Sequence, residues 1–327
     1  MPFGWSPGQV ESQFTERTSL IDCGSSLATA FEMPELPEVE TVRRGLESRV
    51  LGRRIVAVEV RHPQVILGSP EDFAEQARGV IRRLERKGKA IAIELDAPRR
   101  KPAPQLPGRS RGSDGPLGCI LLRLGMTGQV TVVRRDDPLE SHTHVRMELE
   151  NGEEIRYRDI RRFGRLRFCT PAEIKAVFDT MGPDAPSMTS DAFLANLKGR
   201  RTPIKNWLLN QGRLAGVGNI YADESLFAAG IHPLAEAGRL KRPAALKLHR
   251  AVGKVLGQAV AKQGTSMRDY IDIDGNPGRF AAELKVYQRA GEPCPRCGAT
   301  IQRMVLAERS SHFCPRCQRH PRESSRD

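Results

Sequence analysis

Met33-Pro34-Glu35-Leu36-Pro37-Glu38 places a methionine, a proline and an adjacent carboxylate in one run. A chain that began at this methionine and lost it would expose a prolyl amine. An α-amine has a reference pKa of roughly 8, against roughly 10.4 for lysine, so far more of it is neutral near pH 7. A neutral amine attacks a carbonyl-like carbon and forms a Schiff base. From a secondary amine the product is an iminium with no N–H to lose, which stays charged and draws electrons in a following elimination. Glu35, next door, has the chemistry of a general acid or base. Inside a longer chain the same nitrogen is a tertiary amide with no basic lone pair. The run then reads as a helix start, with Pro34 and Pro37 bracketing acidic first-turn residues. Motif shape alone leaves both readings open.

Cys294-Pro295-Arg296-Cys297 and Cys314-Pro315-Arg316-Cys317 are two C-x-x-C knuckles separated by sixteen residues. Four thiolates at this spacing can close a tetrahedral shell around one Zn2+. Such a shell leaves no open position, so the metal is structural and not catalytic. It would supply on the order of 10 kcal/mol of folding energy to a piece too small for its own core. A redox pair is the competing reading. Between the knuckles, Ile301 to Ala307 and Ser310 to Phe313 suit the strands of a hairpin, with Arg309 at its turn. Cys119 and Cys169 read as buried thiols, Cys23 lies apart near the start, and nothing suggests a disulfide framework.

Lys205-Asn206-Trp207-Leu208-Leu209-Asn210-Gln211-Gly212-Arg213-Leu214-Ala215-Gly216-Val217-Gly218-Asn219-Ile220 joins two helical runs. Gly216 and Gly218 allow positive φ and let backbone N–H groups approach an anion closely. Asn219 suits the N-cap of a helix beginning at Ile220, and a phosphate there would meet the helix N-terminus. A plain helix–turn–helix corner explains the same residues. Lys89 ends the basic run Arg86-Lys87-Gly88-Lys89, where most lysines merely cover a sheet margin. Met126 sits in Leu124-Gly125-Met126-Thr127-Gly128, and Arg161 and Phe163 sit in Asp159-Ile160-Arg161-Arg162-Phe163-Gly164. Should the partner be nucleic acid, Met126 and Phe163 are apolar enough to enter a gap in a stack of bases and Arg161 can bond a base edge. Met or Phe beside strands is otherwise core. His142 and His144 could touch a DNA backbone.

The elements that must position these residues are legible. Val39, Val42, Leu46 and Val50 have the spacing of one helix face, Glu38 and Glu40 suit its positive end, and Gly52 can close it. Short β-rich runs follow at 55–60, 91–95, 120–122, 130–133, 144–150 and 154–157. The last two flank Asn151-Gly152, a hairpin signal, and together the runs imply an antiparallel sandwich or barrel. Residues 98–116, rich in Arg, Pro, Gly and Ser, read as a disordered insertion between strands. From Pro171 the pattern is helical, near 171–180, 189–198, 203–210, 220–229 and 243–263. Asp274-Gly275-Asn276-Pro277-Gly278 reads as a mobile turn. With 327 residues and a net charge of +13, the chain suits two domains and a polyanionic partner, nucleic acid first. No run approaches the ~18 apolar residues of a membrane span. Residues 1–32 lack the basic start and apolar block of a secretory signal, so the cytosol is the expected compartment.

The run from Met33 to Thr41 resembles the N-terminus of the formamidopyrimidine-DNA glycosylases, and the resemblance continues through nearly all of residues 33–317. It implies an α+β multidomain fold. An N-terminal β-sandwich with a flanking helix spans 33–168, and a helical helix–two-turn–helix domain spans 169–290. A zinc-binding β-hairpin at 291–320 and a tail at 321–327 complete it. Residues 1–32 have no counterpart and are expected to be a disordered extension or a misassigned start ahead of Met33. The resemblance makes Pro34 the Schiff-base nucleophile and Glu35 the carrier of protons around the sugar. Lys89 and Arg309 match residues that contact phosphate near the lesion and assist catalysis. Lys205 and Asn219 match residues that hold the flanking phosphates, and Met126, Arg161 and Phe163 match the void-filling triad. The 264–287 segment resembles the loop that closes over a flipped base in purine-specific members. Arg123 departs from the pattern, since relatives often carry His there, and altered phosphate contacts are expected.

The implied activity is that of a bifunctional DNA glycosylase and AP lyase of base excision repair. It would excise 8-oxoguanine and formamidopyrimidines from damaged double-stranded DNA by Schiff-base formation and β,δ-elimination. The expected form is a monomer with one structural Zn2+, no soluble cofactor and no membrane attachment. One alternative is an endonuclease VIII-like glycosylase for oxidised pyrimidines. The other, should residues 1–32 remain attached, is a non-catalytic zinc-hairpin DNA-binding protein.

Overall fold

In the computed structural model, which describes residues 33–96 and 116–320, the first helix opens directly on the candidate chemistry. The expectations for residues 1–32, for nearly all of 98–116 and for the 321–327 tail lie outside the described residues. Helix α1 (Leu36–Val50) starts with Pro37 in its first turn, and the Glu38 carboxylate returns to accept the Glu35 N–H at 2.8 Å. Val39, Val42, Leu46 and Val50 are buried on one face, and Gly52 at φ +79° follows the last turn.

That face packs on a sheet of eight antiparallel strands. The first four are β1 (Arg54–Val60), β2 (Gly79–Lys87), β3 (Ala90–Asp96) and β4 (Pro116–Arg123). The others are β5 (Gly128–Arg134), β6 (Thr143–Leu149), β7 (Glu153–Asp159) and β8 (Arg165–Cys169). The order is β5-β7-β6-β1-β2-β3-β4-β8. The β1–β2 ladder pairs only Arg54 with Val80 and Ile55 with Gly79. There one hydrogen-bonded sheet turns into two layers. Val58, Val130, Met147 and Tyr157 from one side share a core with Ile81, Leu84, Ile93 and Ile120 from the other. This is the sandwich read from the sequence. Two strands carry no clear signal. In β2, arginines occupy much of the run, and a register shift between Ile81 and Arg83 breaks the alternation. In β8 only Leu166 and Cys169 are buried.

A second core surrounds Trp207, Leu208, Leu226 and Leu256. It gathers helices α4 (Ser190–Leu197), α5 (Ile204–Leu209), α6 (Asn219–Ala229) and α7 (Arg242–Ala261), whereas α3 (Pro171–Asp179) packs through Ile174 on Ala92, Cys119 and Leu121 of the sheet, and a short α2 (Pro70–Gln76) had already followed β1. Tyr270 and Ile273, after α7, belong instead to the sheet core, and Ile273 C=O accepts the Val132 N–H at 3.1 Å. The 274–278 turn expected to be mobile is closed by Asp272, whose carboxylate accepts the N–H groups of Asp274 at 3.0 Å and Asn276 at 2.8 Å. Last come β9 (Gln302–Leu306) and β10 (Arg309–Phe313). Ala307 and Glu308, with φ of +46° and +61°, make their turn, so Arg309 opens β10 instead of sitting in the turn.

Candidate active site

Pro34 and Glu35 are both buried at the entrance to α1, against the helical corner. Glu35 Oε2 accepts the Gly218 N–H at 2.6 Å and Oε1 accepts the Ile220 N–H at 2.9 Å. The anion at the α6 N-terminus is therefore this carboxylate, where the sequence suggested a phosphate. Two further expectations change with it. Asn219 is not the N-cap: Gly218 holds that position and Asn219 is the first helical residue. Of the two glycines, only Gly216 has positive φ, at +96°, while Gly218 is extended. Gly218 is needed for close approach, because a Cβ there would overlap the Glu35 carboxyl group. At Gly216 a Cβ would lie 2.5 Å from Leu36 Cδ1.

Burial raises Glu35 to about 7, against the pull of the nearby Lys89 ammonium and the two amides. A carboxyl poised there can give or take a proton near neutrality. Burial also lowers Lys89, opposed by the field of Glu35, and Arg309 lies close enough to push it down further. Lys89, Glu35 and Arg309 are thus electrostatic neighbours although they come from β3's approach, the start of α1 and the β9–β10 hairpin. Beneath them Glu38 accepts the Thr265 N–H at 2.7 Å and a short bond from the Tyr221 hydroxyl, and its burial raises it too.

The helical corner brings Lys205 and Asn219 to the same region. Lys205 is fully buried: its ammonium sits 2.7 Å from Asp223 and donates to Ser310 C=O at 2.6 Å. Asn219 Nδ2 reaches the Tyr287 hydroxyl at 3.4 Å, leaving its buried Oδ1 without a partner. Arg309 is exposed.

Met126, Arg161 and Phe163 sit on two adjoining loops. Met126 is half-buried, Phe163 is 50% exposed, and the Arg161 guanidinium stacks 4.6 Å from the Phe163 ring. Sequence reasoning passed over the residue that joins these loops. Asp159 is fully buried and accepts from Thr127 at 2.5 Å, Tyr157 at 2.9 Å, the Gly164 N–H at 2.8 Å and the Arg161 N–H at 3.2 Å. Its place at the head of the Asp-Ile-Arg-Arg-Phe-Gly run was the available signal. His142, at φ +65°, is exposed and shares an open pocket with Arg61, His62, His144 and Arg162. Arg123 is half-buried, faces Arg165 across the β4–β8 ladder, and is lowered by burial with no acid to offset it.

The thiols of Cys294, Cys297, Cys314 and Cys317 all lie within 4.8 Å of one another. Cys294 and Cys317 are 3.9 Å apart, and Cys297 and Cys314 are 3.5 Å apart. A tetrahedron with metal–sulfur bonds of about 2.3 Å has edges of about 3.8 Å, so the set fits a tetrahedral thiophilic ion. N–H groups of Arg296 and Cys317 point at the sulfurs of Cys294 and Cys314, each at 3.4 Å.

Residues 33–166 match the model of the formamidopyrimidine-DNA glycosylase N-terminal domain. Residues 180–270 match the formamidopyrimidine-DNA glycosylase H2TH domain, and 291–319 match the zinc finger found in FPG and IleRS. The chain is 39% identical over 290 residues to the formamidopyrimidine-DNA glycosylase of Stenotrophomonas maltophilia, with 88% of this chain and 100% of the relative covered. It is 41% identical over 291 residues to that of Herpetosiphon aurantiacus, with the same 88% and 100% coverage. Among solved structures it is similar to a Lactococcus lactis Fpg in complex with DNA containing an abasic site. There the TM-score is 0.76 at 33% identity, covering 88% of this chain and 100% of that one.

Proposed function

This chain belongs to the formamidopyrimidine-DNA glycosylase family, and from that premise we propose that it is a bifunctional DNA glycosylase and AP lyase for oxidised purines. Its substrates are 8-oxoguanine and formamidopyrimidines in damaged duplex DNA. The observation that carries this reading is the buried Glu35, raised to about 7 and gripped by the Gly218 and Ile220 amides, immediately after Pro34.

The reading requires a free Pro34 nitrogen, hence an active chain that begins at Pro34. It is supported by the family match, which starts at residue 33. The amine forms a bond to C1′ of the sugar and gives up its proton, and the bond from C1′ to the base breaks, with its electron pair leaving on the base. Glu35 then gives a proton to O4′ as the C1′–O4′ bond breaks, which opens the sugar and leaves a cationic iminium. The cationic iminium acidifies the C2′ proton, whose removal expels the 3′ phosphate, and a second elimination expels the 5′ phosphate. Lys89, Lys205, Asn219 and Arg309 hold the phosphates about the lesion, with His142 on the backbone nearby. Met126, Arg161 and Phe163 occupy the space of the extruded nucleotide. The four cysteines take one Zn2+, which when bound cross-links the two knuckles and has a structural part only. The enzyme acts as a monomer in the cytoplasm.

Borohydride trapping tests this reading. A chain starting at Pro34 should give a covalent adduct with 8-oxoguanine duplex, and the 327-residue chain with its Pro34 nitrogen acylated should give none. An adduct from the acylated chain, or none from the free amine, overturns it.

A further inference from the structure

No hydrogen bond or ion pair among the described residues holds the Arg309 guanidinium, so its position is set by the strand that carries it. Among the described residues that strand, β10, pairs with β9 alone, leaving one edge without a neighbouring strand. On this edge an ion pair stands where a strand would. Lys205 Nζ donates to Ser310 C=O at 2.6 Å, and Asp223 accepts the His312 N–H at 2.8 Å. The two charged groups meet each other at 2.7 Å, and both residues are 0% exposed. In an extended strand the C=O of one residue and the N–H of the next but one face the same side, and one residue of an adjacent strand would satisfy both. The ion pair therefore fixes the register of β10 as a third strand would. The His312 ring adds a further contact, with Nδ1 3.2 Å from Asp223.

Asp223 lies on α6, the helix whose first amides hold Glu35. One rigid helix thus carries the proton carrier at its N-terminus and, one turn later, the anchor of the strand that begins with Arg309. We propose that Asp223 is a positioning residue for Arg309: it sets where the guanidinium stands relative to Glu35, and so how Arg309 meets phosphate. This rests on the functional reading above for the identity of the ligand.

A buried charge left without its partner destabilises a fold whatever its role. The test must therefore separate alignment from general stability, and a double-mutant cycle does so. Asp223→Asn, Arg309→Ala and the double variant are made in the full chain. Affinity for a duplex bearing an abasic-site analogue is read by fluorescence anisotropy, with metal content checked throughout. Asp223→Asn should weaken binding at least about fivefold when Arg309 is present and less than about twofold when it is Ala. Asp223→Glu, which keeps a charge facing Lys205 on a longer arm, goes through the same cycle and should show the same coupling should the Asn variant fail to fold. Equal losses in both backgrounds, no loss from Asp223→Asn, or no loss from Arg309→Ala overturns the proposal. Binding needs no free amine, so a failed borohydride adduct bears on Pro34 and leaves this coupling to be judged by its own result.

Discussion

Glu35 Oε1 lies 2.9 Å from the Ile220 nitrogen, so the candidate proton carrier of the sheet domain is also the cap of a helix in the helical domain. The cap depends on Gly218. Its backbone, at φ −126° and ψ −158°, suits any residue, so only the missing side chain makes glycine necessary. A methyl group there would overlap the Glu35 carboxyl carbon. Gly218→Ala should therefore displace Glu35 and lower single-turnover excision by about 100-fold, within the usual worth of a positioned acid or base. Circular dichroism and metal content should stay at the parent values. A variant that keeps the parent rate would show that the contact is dispensable.

Local pattern revealed those elements whose burial follows one period. The α1 face, the Asn151-Gly152 hairpin and the two knuckles were all readable because each signal lies within a short window. The β2 strand was not, since its arginines and register shift hide the alternation. What no window could hold is the meeting of Glu35 with residues 183 and 185 positions away. The same glycines that suggested an anion site do serve one, but the anion is built into the chain. Asp159 and Asp223 were passed over because a buried carboxylate looks like any other acid until its donors are in view.

Glu35 should leave a signature in pH. Burial raises it from 4.5 to about 7 in the fold, so across that window the native state holds a proton that the unfolded chain has released. Stability must then fall as pH rises from 4.5 to about 7 and level off above. Glu38 and Glu224, also raised by burial, act in the same direction. Glu35→Gln should consequently remove only part of the stability slope. It should remove the whole rate limb near pH 7, measured in single turnover on an 8-oxoguanine duplex. A limb that survives in the Gln variant would assign it to another group.

Asp159 should matter at once to the loop that carries Met126 and the loop that carries Arg161 and Phe163. It accepts four hydrogen bonds from groups on either side of the loop pair. Asp159→Asn turns one acceptor into a donor facing donors, which should cost about 2–4 kcal/mol of stability. Met126 and Phe163 should lose their common support, so base extrusion should slow as well. Denaturant midpoints report the first effect and a fluorescent base analogue opposite the lesion the second. An Asn variant with parent stability would contradict the assignment.

Metal removal should separate the hairpin from the rest of the molecule. The apolar cluster beneath the knuckles is small, with Phe227, Val286 and Ile301 packed around Cys294 and Cys314. So little buried area cannot hold the module without a cross-link. Other contacts hold the module from the side: Gln318 Nε2 donates to Ile231 C=O at 2.8 Å, Lys205 and Asp223 grip the edge of β10, and the Phe313 and His312 rings pack on His232 and Tyr287. The two large cores contain none of the four cysteines. Chelation, or Cys297→Ser, should therefore leave the sheet and the helices folded by circular dichroism. Duplex affinity should fall more than about tenfold as β10 frees Arg309, because phosphate contacts dominate binding. Elemental analysis fixes the metal content of each sample. A metal-free chain that still binds DNA at parent affinity would show that the Asp223 edge alone suffices to hold Arg309 in place.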